Sequence, residues 1–469
     1  MAFLTEAANR GSIATGYDID NSLKLEEANT ECINTPSSYS LITTSNVYKG
    51  TTSFWIKRTS LNNGSGVQWL FNGANSARYD GIYWDVNDKL KGYFSALGNG
   101  ADFVTTQVFR DTSAWYHIVM AIDTSHSTAS ERIKFYVNGE QITAWDTSPS
   151  IDQNTQLTSL GTDAYHGWGT SYSYNLGASS DGSSEYLANC IHVDGQQLTS
   201  TDFGEFDDDS GIWKPKAYEG TYGNKGYLLE FQSSSALGTD TSGNGNNFTN
   251  NRNITAADQA TDTPTNNFCT LNPLWTFGNT MGVSDGGTKV NNTVIAWGGA
   301  KGSIGVNSGK WYWEHGSFSG NDTMFGIQNQ AGGGNTQAYL DPYTLAIQAN
   351  SNVIQFTDPS NRTEAFTKTF SITDIWGVAL DLDANTIAFY RNGSIVNSAF
   401  SIDGLIGNGE FFPFVTHYGS GLNSRVNFGG YTGITISSAA SDENGYGTFE
   451  YAPPSGYYAL CTKNLAEYG

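Results

Sequence analysis

Residues 376–393 read WGVALDLDANTIAFYRNG, and the way that stretch alternates decides the fold class. Successive side chains on a strand point to opposite faces, so Trp376, Val378 and Leu380 fall on one side of an extended segment, and Ile387 and Phe389 on one side of the next. The closing Asn392-Gly393 pair supplies the left-handed dihedrals that a two-residue hairpin turn needs. The reading predicts antiparallel strands closed by tight turns. A second copy of the signal stands far upstream, where residues 133–139 read IKFYVNG against IAFYRNG at 387–393. A hairpin of related construction is therefore expected in each half of the chain.

Working outward, segments of strand length occur at 53–57, 68–71, 81–84, 115–122, 133–137 and 188–193, separated by Gly, Asn and Asp clusters. That punctuation predicts a β-sandwich over 18–232, preceded by a short N-terminal segment, 1–17. A second set, at 310–314, 324–327, 345–349, 353–356, 376–382, 386–390, 411–416 and 424–428, predicts another sandwich over 276–469. Between them, 233–275 is rich in Asn, Thr, Ser and Gly, with SGNGNNFTNN at 242–251. It reads as a polar connector laid over a surface, and Thr263-Pro264-Thr265 holds part of it extended. Trp55, Trp115, Trp311, Trp313, Trp376 and Phe389 lie inside the strand motifs and are expected as core or half-core residues.

Composition excludes other classes. A chain of 469 residues that is 13% aromatic, with 12 Trp, 26 Tyr and 25 Phe, is too rich in core-forming rings to be disordered. Its 23 basic and 45 acidic residues leave a net charge of −22. The charge is spread: 14 basic and 27 acidic residues fall in 1–232, 1 and 3 in 233–275, and 8 and 15 beyond, nets of −13, −2 and −7. With no basic face, neither nucleic acid nor an anionic membrane surface is an expected partner. No apolar run approaches the roughly 20 residues of a bilayer span, and the opening MAFLTEAANR lacks a basic start followed by an apolar core, so no export signal is expected. Cys32, Cys190, Cys269 and Cys461 are far apart, without a CxxC pair or a His at ligand spacing, and read as buried free thiols.

Four runs in the first half, DIDNSLKL at 18–25, TTSFWIKR at 51–58, AWYHIVMAID at 114–123 and RIKFYVNG at 132–139, together resemble a laminin-G-like, concanavalin A-like jelly roll. In the second half, SGKWYWE at 308–314, MFGI at 324–327, the 376–393 stretch, FFPFV at 411–415 and VNFG at 426–429 resemble a SPRY domain. The resemblances imply an all-β chain of two jelly-roll sandwiches joined by the polar connector. A narrower likeness comes from DFGEFDDDSGIWKPKAYEGTYGNKGYLLEF at 202–231, followed by DTSGNGNNFTNN and TDTPTNNF, which look like laminin-G-like structural proteins of tailed, particularly marine, bacteriophages. That likeness implies a virion surface protein, made in the host cytoplasm, as in a tail fibre or related appendage. Such a protein binds other virion proteins and a host-surface glycan or receptor, and assembles as a homo-oligomer, commonly a trimer. The alternative is a capsid or tail decoration or adaptor subunit; a polysaccharide depolymerase is a minor third reading.

No catalytic constellation is expected. Laminarinase-type relatives of the concanavalin A-like fold set carboxylates as ExDxE or ExDxxE on one strand, aimed into a sugar cleft. The nearest local match, Glu205-Phe206-Asp207-Asp208-Asp209-Ser210, lacks the final Glu and reads as a solvated acidic loop. His117, His126, His166, His192, His315 and His417 are isolated, and no HExxH, phosphate-loop or GxSxG motif occurs. His117 and His192 fall in strand patterns and are expected to be hydrogen-bonded structural groups. No cofactor is expected. The laminin-G-like resemblance does imply that calcium can sit on a sandwich rim; Asp123, Asp163, Asp181 and Asp240 are the acids in suitable turns, although ordinary solvated turn acids explain them better.

Recognition is expected in loops at the sandwich ends, where rings and short polar residues cluster. The stretch 163–172 offers Asp163, Tyr165, His166, Trp168 and Tyr172, whose rings can stack on apolar sugar faces while Asp163 and Thr170 bond hydroxyls. In the second half the candidates are Asn335, Tyr339 and Tyr343, within the loop that opens on Gly332-Gly333-Gly334, together with His417 and Tyr418. SPRY domains use such loops for protein partners, so these positions suit an interface as well as a glycan.

Overall fold

The computed structural model describes residues 16–29, 31–36, 46–61, 67–74, 79–96, 99–157, 163–166, 182–251, 253–278, 281–332, 343–349, 353–357, 363–365, 370–396, 398–405 and 409–469. The chain is almost entirely β and separates into two compact units, with the division between Thr265 and Asn266.

The first unit packs two antiparallel sheets face to face. One runs Glu140–Gln141, Ile133–Val137, Tyr116–Asp123, Lys49–Arg58, Glu185–Asp194, Ser22–Leu25 and Gln259–Ala260, with Tyr227–Leu229 also paired to Glu185–Asp194. The other runs Trp145–Thr147, Asn99–Val108, Lys89–Ala96, Tyr79–Trp84, Gln68–Ala74, Asp163–His166, Cys32–Asn34 and Thr249–Asn251. Alternation sorts the side chains: Phe54 and Ile56 turn inward to meet Leu70, Ile82, Trp84 and Phe103 in the core. Trp55 and Lys57 therefore face the other way, and both are nevertheless buried.

What covers Lys57 corrects the connector expectation. Thr249–Asn251 and Gln259–Ala260 are strands of the first sandwich, and Leu237 and Phe248 are core residues. Asp262 reaches the outer face of the sheet, where its carboxylate meets Lys57 Nζ at 2.7 Å and accepts from Trp115 Nε1 at 3.1 Å. Asp258 likewise meets Lys24 Nζ at 2.8 Å. The segment is polar because its task is to neutralise lysines on a covered sheet face, and buried charges persist only when paired.

The second unit repeats the plan. One sheet runs Leu271–Phe277, Trp297–Gly302, Phe411–Tyr418, Thr323–Asn329, Thr344–Gln348, Val353–Thr357 and Thr363–Ala365. The other runs Met281–Ser284, Lys289–Asn292, Asn423–Asn427, Lys310–Gly316, Trp376–Asp381, Thr386–Arg391 and Ser394–Ile395, with Phe400–Ser401 and Tyr458–Ala459 paired at its side. Trp311, Trp313, Trp376 and Phe389 fill the space between them with Phe325, Ile327 and Val415. A single α-helix, Thr462–Tyr468, is found among the described residues. The hairpin turns take the dihedrals that their sequence demands: φ is +49° and +87° at Asn138-Gly139, and +48° and +76° at Asn392-Gly393.

The cysteines are free and buried. Phe268 opposes Cys461 across an antiparallel bridge, and Cys269 donates its backbone N–H to Leu460 O at 2.9 Å. Cys269 then packs into the main core of this sandwich while Cys461 joins the Phe268, Tyr312 and Phe449 cluster, so the two thiols face different sides.

Candidate functional site

Of the residues expected to bind, Asp163, Tyr165 and His166 lie on the strand Asp163–His166, hydrogen-bonded between Gln68–Ala74 and Cys32–Asn34 rather than on a loop. His166 is a correction. It is fully buried, bonds Tyr227 Oη through Nε2 at 3.1 Å, and sits among Phe54, Phe71 and Phe248. Loss of hydration holds its pKa down at about 3, a neutral core imidazole. Trp168, Thr170, Tyr172, Asp181, Asn335 and Tyr339 lie outside the described residues. Tyr343 is half-buried just before Thr344–Gln348, where its carbonyl accepts from Asn329 N–H at 3.0 Å.

His417 and Tyr418 are neighbours with opposite fates. His417 is the second correction: it is buried on the core side, bonded to Thr323 Oγ1 at 2.7 Å and Ser424 Oγ at 3.0 Å. Tyr418, one residue on, points to the other face and is 40% exposed. It stands opposite Trp297 in the sheet, the two rings 5.5 Å apart. Behind Trp297 the same face is closed by Phe277, Met324 and Phe414.

The loop that leads into Trp297 completes a patch that sequence reasoning missed. Asn292 Nδ2 donates to Ala296 O at 2.6 Å and His417 O at 3.0 Å, and Ser420 Oγ donates to Thr293 O at 2.9 Å. These bonds clamp the loop against the turn after Tyr418. It presents Ile295 at 75% exposure and Val294 at 38%. Neither 290–298 nor 417–424 contains a charged side chain, in a chain of net charge −22. The arrangement can offer two rings, two aliphatic side chains and neutral polar groups, which suits contact and stacking and supplies no acid or base. The apolar run VIAW at 294–297 was the available signal, but nothing in one dimension separates an exposed apolar run from a buried one.

The acids are committed elsewhere. Asp123 pairs with Lys49 at 2.7 Å and accepts from Ser125 N–H at 3.1 Å, and these donors hold its carboxyl below the usual range although burial opposes them. Asp240 accepts backbone N–H bonds from Leu228, Ser242 and Asn246 at 2.8 to 3.0 Å. Glu205 and Asp207 both reach Lys214, at 3.5 and 3.1 Å. Bonds from Ser210 and Lys214 hold Asp207 down at about 2. Among the described residues no group of three or more His, Cys, Asp or Glu is placed to hold a metal ion.

Family models match the chain in two places, the concanavalin A-like lectin/glucanases superfamily of laminin G type over 28–176 and the SPRY domain over 310–431. The chain carries a laminin-G-like domain and a SPRY domain. Domains of these kinds are typically carbohydrate- or protein-binding rather than catalytic. Among solved structures, the SPRY domain of human HERC1 is 21% identical, covering 33% of this chain and 96% of that one, at a TM-score of 0.29. A heptameric SAP-like pentraxin from Limulus polyphemus is 15% identical over 39% of this chain and 81% of its own, at 0.28. Domains LG4-5 of the mouse laminin alpha1 chain are 10% identical over 88% and 90%, at 0.31. No curated protein matches the sequence. The patch around Tyr418 thus belongs to the SPRY-bearing half, and the buried His166 to the laminin-G-like half.

Proposed function

We propose that the protein is a non-enzymatic structural component of a bacteriophage particle, a tail fibre or related surface appendage, that binds a host-surface glycan or receptor. The observation that carries the binding reading is the clamped patch of Val294, Ile295, Trp297 and Tyr418, built on two segments that contain no charged side chain. Rings set rigidly at a surface recognise ligands with little loss of side-chain freedom. The phage setting rests on the sequence likeness over 202–268. On this reading the protein resides in the virion as a homo-oligomer among other virion proteins, without nucleic acid or membrane partners. The Glu205–Asp207 run is set aside as a glycosidase pair because both carboxylates are held by one lysine.

The test is binding of the assembled protein to host cells and to an array of their surface polysaccharides, beside Tyr418→Ala and Trp297→Ala. Binding that falls with either substitution supports the reading; no binding by the unmodified protein to any cell or polysaccharide counts against it. A second reading, a capsid or tail decoration or adaptor protein, is favoured by the aliphatic pair Val294 and Ile295, which fits a protein surface better than a sugar. A density map of the particle separates the two, since a patch buried against another virion protein has no receptor face.

A further inference from the structure

Outside both main sheets of the first sandwich stands a small two-stranded sheet, Gly204–Phe206 paired with Trp213–Pro215. Its turn is stiff: Asp207 accepts from Ser210 N–H at 2.9 Å, and Asp207 N–H donates to Ile212 O at 2.8 Å. It also carries apolar side chains that the core does not use, with Phe206 48% and Ile212 39% exposed. Its largest buried side chain, flanked by the buried Gly204 and Pro215, roots it. Trp213 is buried so tightly that a Cβ on Gly139 or Gly204 would lie 2.4 or 2.5 Å from its ring. Its Nε1 donates to His117 Nδ1 at 3.0 Å, and His117 stacks on Trp55 at 4.6 Å.

That bond fixes the state of His117. An indole N–H can only donate, so Nδ1 must carry the lone pair and Nε2 the proton, which goes to Ser53 Oγ at 2.8 Å. A second proton on the ring would set two N–H donors head to head. We propose that the 204–215 hairpin is an acid-releasable flap: protonation of His117 breaks its bond with Trp213, and the hairpin leaves the sheet face, exposing Trp213 and Trp55.

Nothing nearby stabilises the imidazolium. From the elements packed around it His117 faces Ser53 and Trp55 on one strand and Trp213 on the flap. Of the charged groups of the flap itself, Glu205 and Asp207 both bond Lys214, and Asp208 and Asp209 are exposed in its turn. On the neighbouring strand Lys134 pairs with Glu131, and Tyr136 is a phenol whose pKa burial raises. Farther along the sheet Lys57 is paired with Asp262 and lies 6.0 Å from the Tyr186 ring. Burial accordingly holds the docked imidazole at about 3 against an ordinary 6.5. Between those values the release constant rises about tenfold per pH unit. The second sandwich has a bond of the same type, Trp313 Nε1 to His315 Nε2 at 3.1 Å, but both residues belong to one core strand and no separate element hangs from it.

The test is hydroxyl-radical labelling of the full chain, read by mass spectrometry at pH steps from 7 to 4, with the fully buried Trp84 of the same sandwich as internal reference. Labelling of Trp213 should rise with acid while Trp84 stays protected. In His117→Asn, whose amide oxygen can accept the indole N–H at any pH, the rise should vanish. The inference is overturned if Trp213 stays as protected as Trp84 throughout, if both rise together, or if His117→Asn behaves as the unmodified chain. The comparison of the two tryptophans decides the matter even if the variant does not fold.

Discussion

Asn138 and Asn392 make the same pair of bonds in two different sandwiches. Asn138 Oδ1 accepts from His117 N–H at 2.7 Å while its own N–H donates to His117 O at 2.9 Å; Asn392 does the same with Ile375 at 2.9 and 2.8 Å. The likeness extends to the strands they close. Lys49 pairs with Asp123 at 2.7 Å and Lys310 with Asp381 at 2.9 Å, each across the same register of neighbouring strands. Each hairpin glycine is then covered by a later ring, Trp213 over Gly139 and Tyr451 over Gly393. The short echo in the sequence is thus the visible part of a shared three-strand module.

The asparagine does two jobs that substitution can separate. Alanine loses the side-chain bond, worth about 1 kcal/mol, and must also hold a left-handed conformation, at about 1 kcal/mol more. Glycine loses only the bond. Asn138→Ala and Asn392→Ala should therefore each destabilise their own sandwich by about 2 kcal/mol, and the glycine variants by about half as much. Urea midpoints followed by hydrogen exchange within each sandwich measure this. Equal losses for Ala and Gly would mean that the dihedral contributes nothing.

Five histidines are buried and neutral, and together they predict acid sensitivity. Desolvation lowers His117, His166, His315 and His417 to about 3 and His192 to about 4, from 6.5. Between about pH 6.5 and 4 the unfolded chain binds these protons and the folded chain does not. Stability therefore falls as pH falls through that window, by up to about 1.4 kcal/mol per unit for each histidine. The first sandwich holds three of the five and should lose stability more steeply. Denaturant titrations at pH 7, 6 and 5 check the slope, and His166→Gln should flatten it by about one histidine's share.

Glu185 predicts the opposite dependence. Most buried acids here are surrounded by donors: Glu314 accepts from Glu450 N–H, Tyr451 N–H and Asn427 Nδ2, and Asp442 from Asn444, Tyr446 and Ala459 N–H and Asn464 Nδ2. Glu185, equally buried opposite Arg58, has no donor in bonding geometry at either oxygen, although Ser183 and Arg58 act on it from nearby. Burial raises it from 4.5 to about 8. The folded state keeps a proton that the unfolded state gives up above about 4.5, so stability falls as pH rises toward 8. Glu185→Gln, which keeps the shape without the proton, should stabilise the first sandwich by about 3 kcal/mol at pH 7 and by much less at pH 5. An advantage that does not change with pH would show that Glu185 is ionised in the fold.

How much of this was legible follows from which residues alternate in view. The 376–393 hairpin and its upstream echo could be read because Trp376, Val378 and Phe389 repeat at period two before a turn that only a few residues allow. His417 and Tyr418 could not be told apart, since one step along a strand exchanges core for surface and the sequence does not say which parity faces in. Val294 and Ile295 carry no pattern that separates an exposed apolar pair from a buried one. The 233–265 segment was hardest, because its contribution is made by Asp258, Asp262 and Phe248, and two carboxylates that neutralise distant lysines have no local pattern.

That last segment gives the most direct test of the fold. Lys57 and Asp262 are both essentially inaccessible, 2.7 Å apart and 205 residues apart in the chain. Removing one partner of such a pair leaves a buried charge with nothing to offset it, which destabilises by about 3 to 5 kcal/mol, whereas replacing both by apolar groups can be close to neutral. Asp262→Ala should therefore weaken the whole first sandwich by that amount, and Lys57→Met with Asp262→Leu should recover most of it. Because Asp262 also accepts from Trp115 Nε1, the recovery should stop short by about 1 kcal/mol, the loss expected for one unmet indole donor. Hydrogen exchange in the Ser22–Leu25 and Lys49–Arg58 strands reads both steps. If Asp262→Ala leaves those strands as protected as before, the pairing does not hold the sheet.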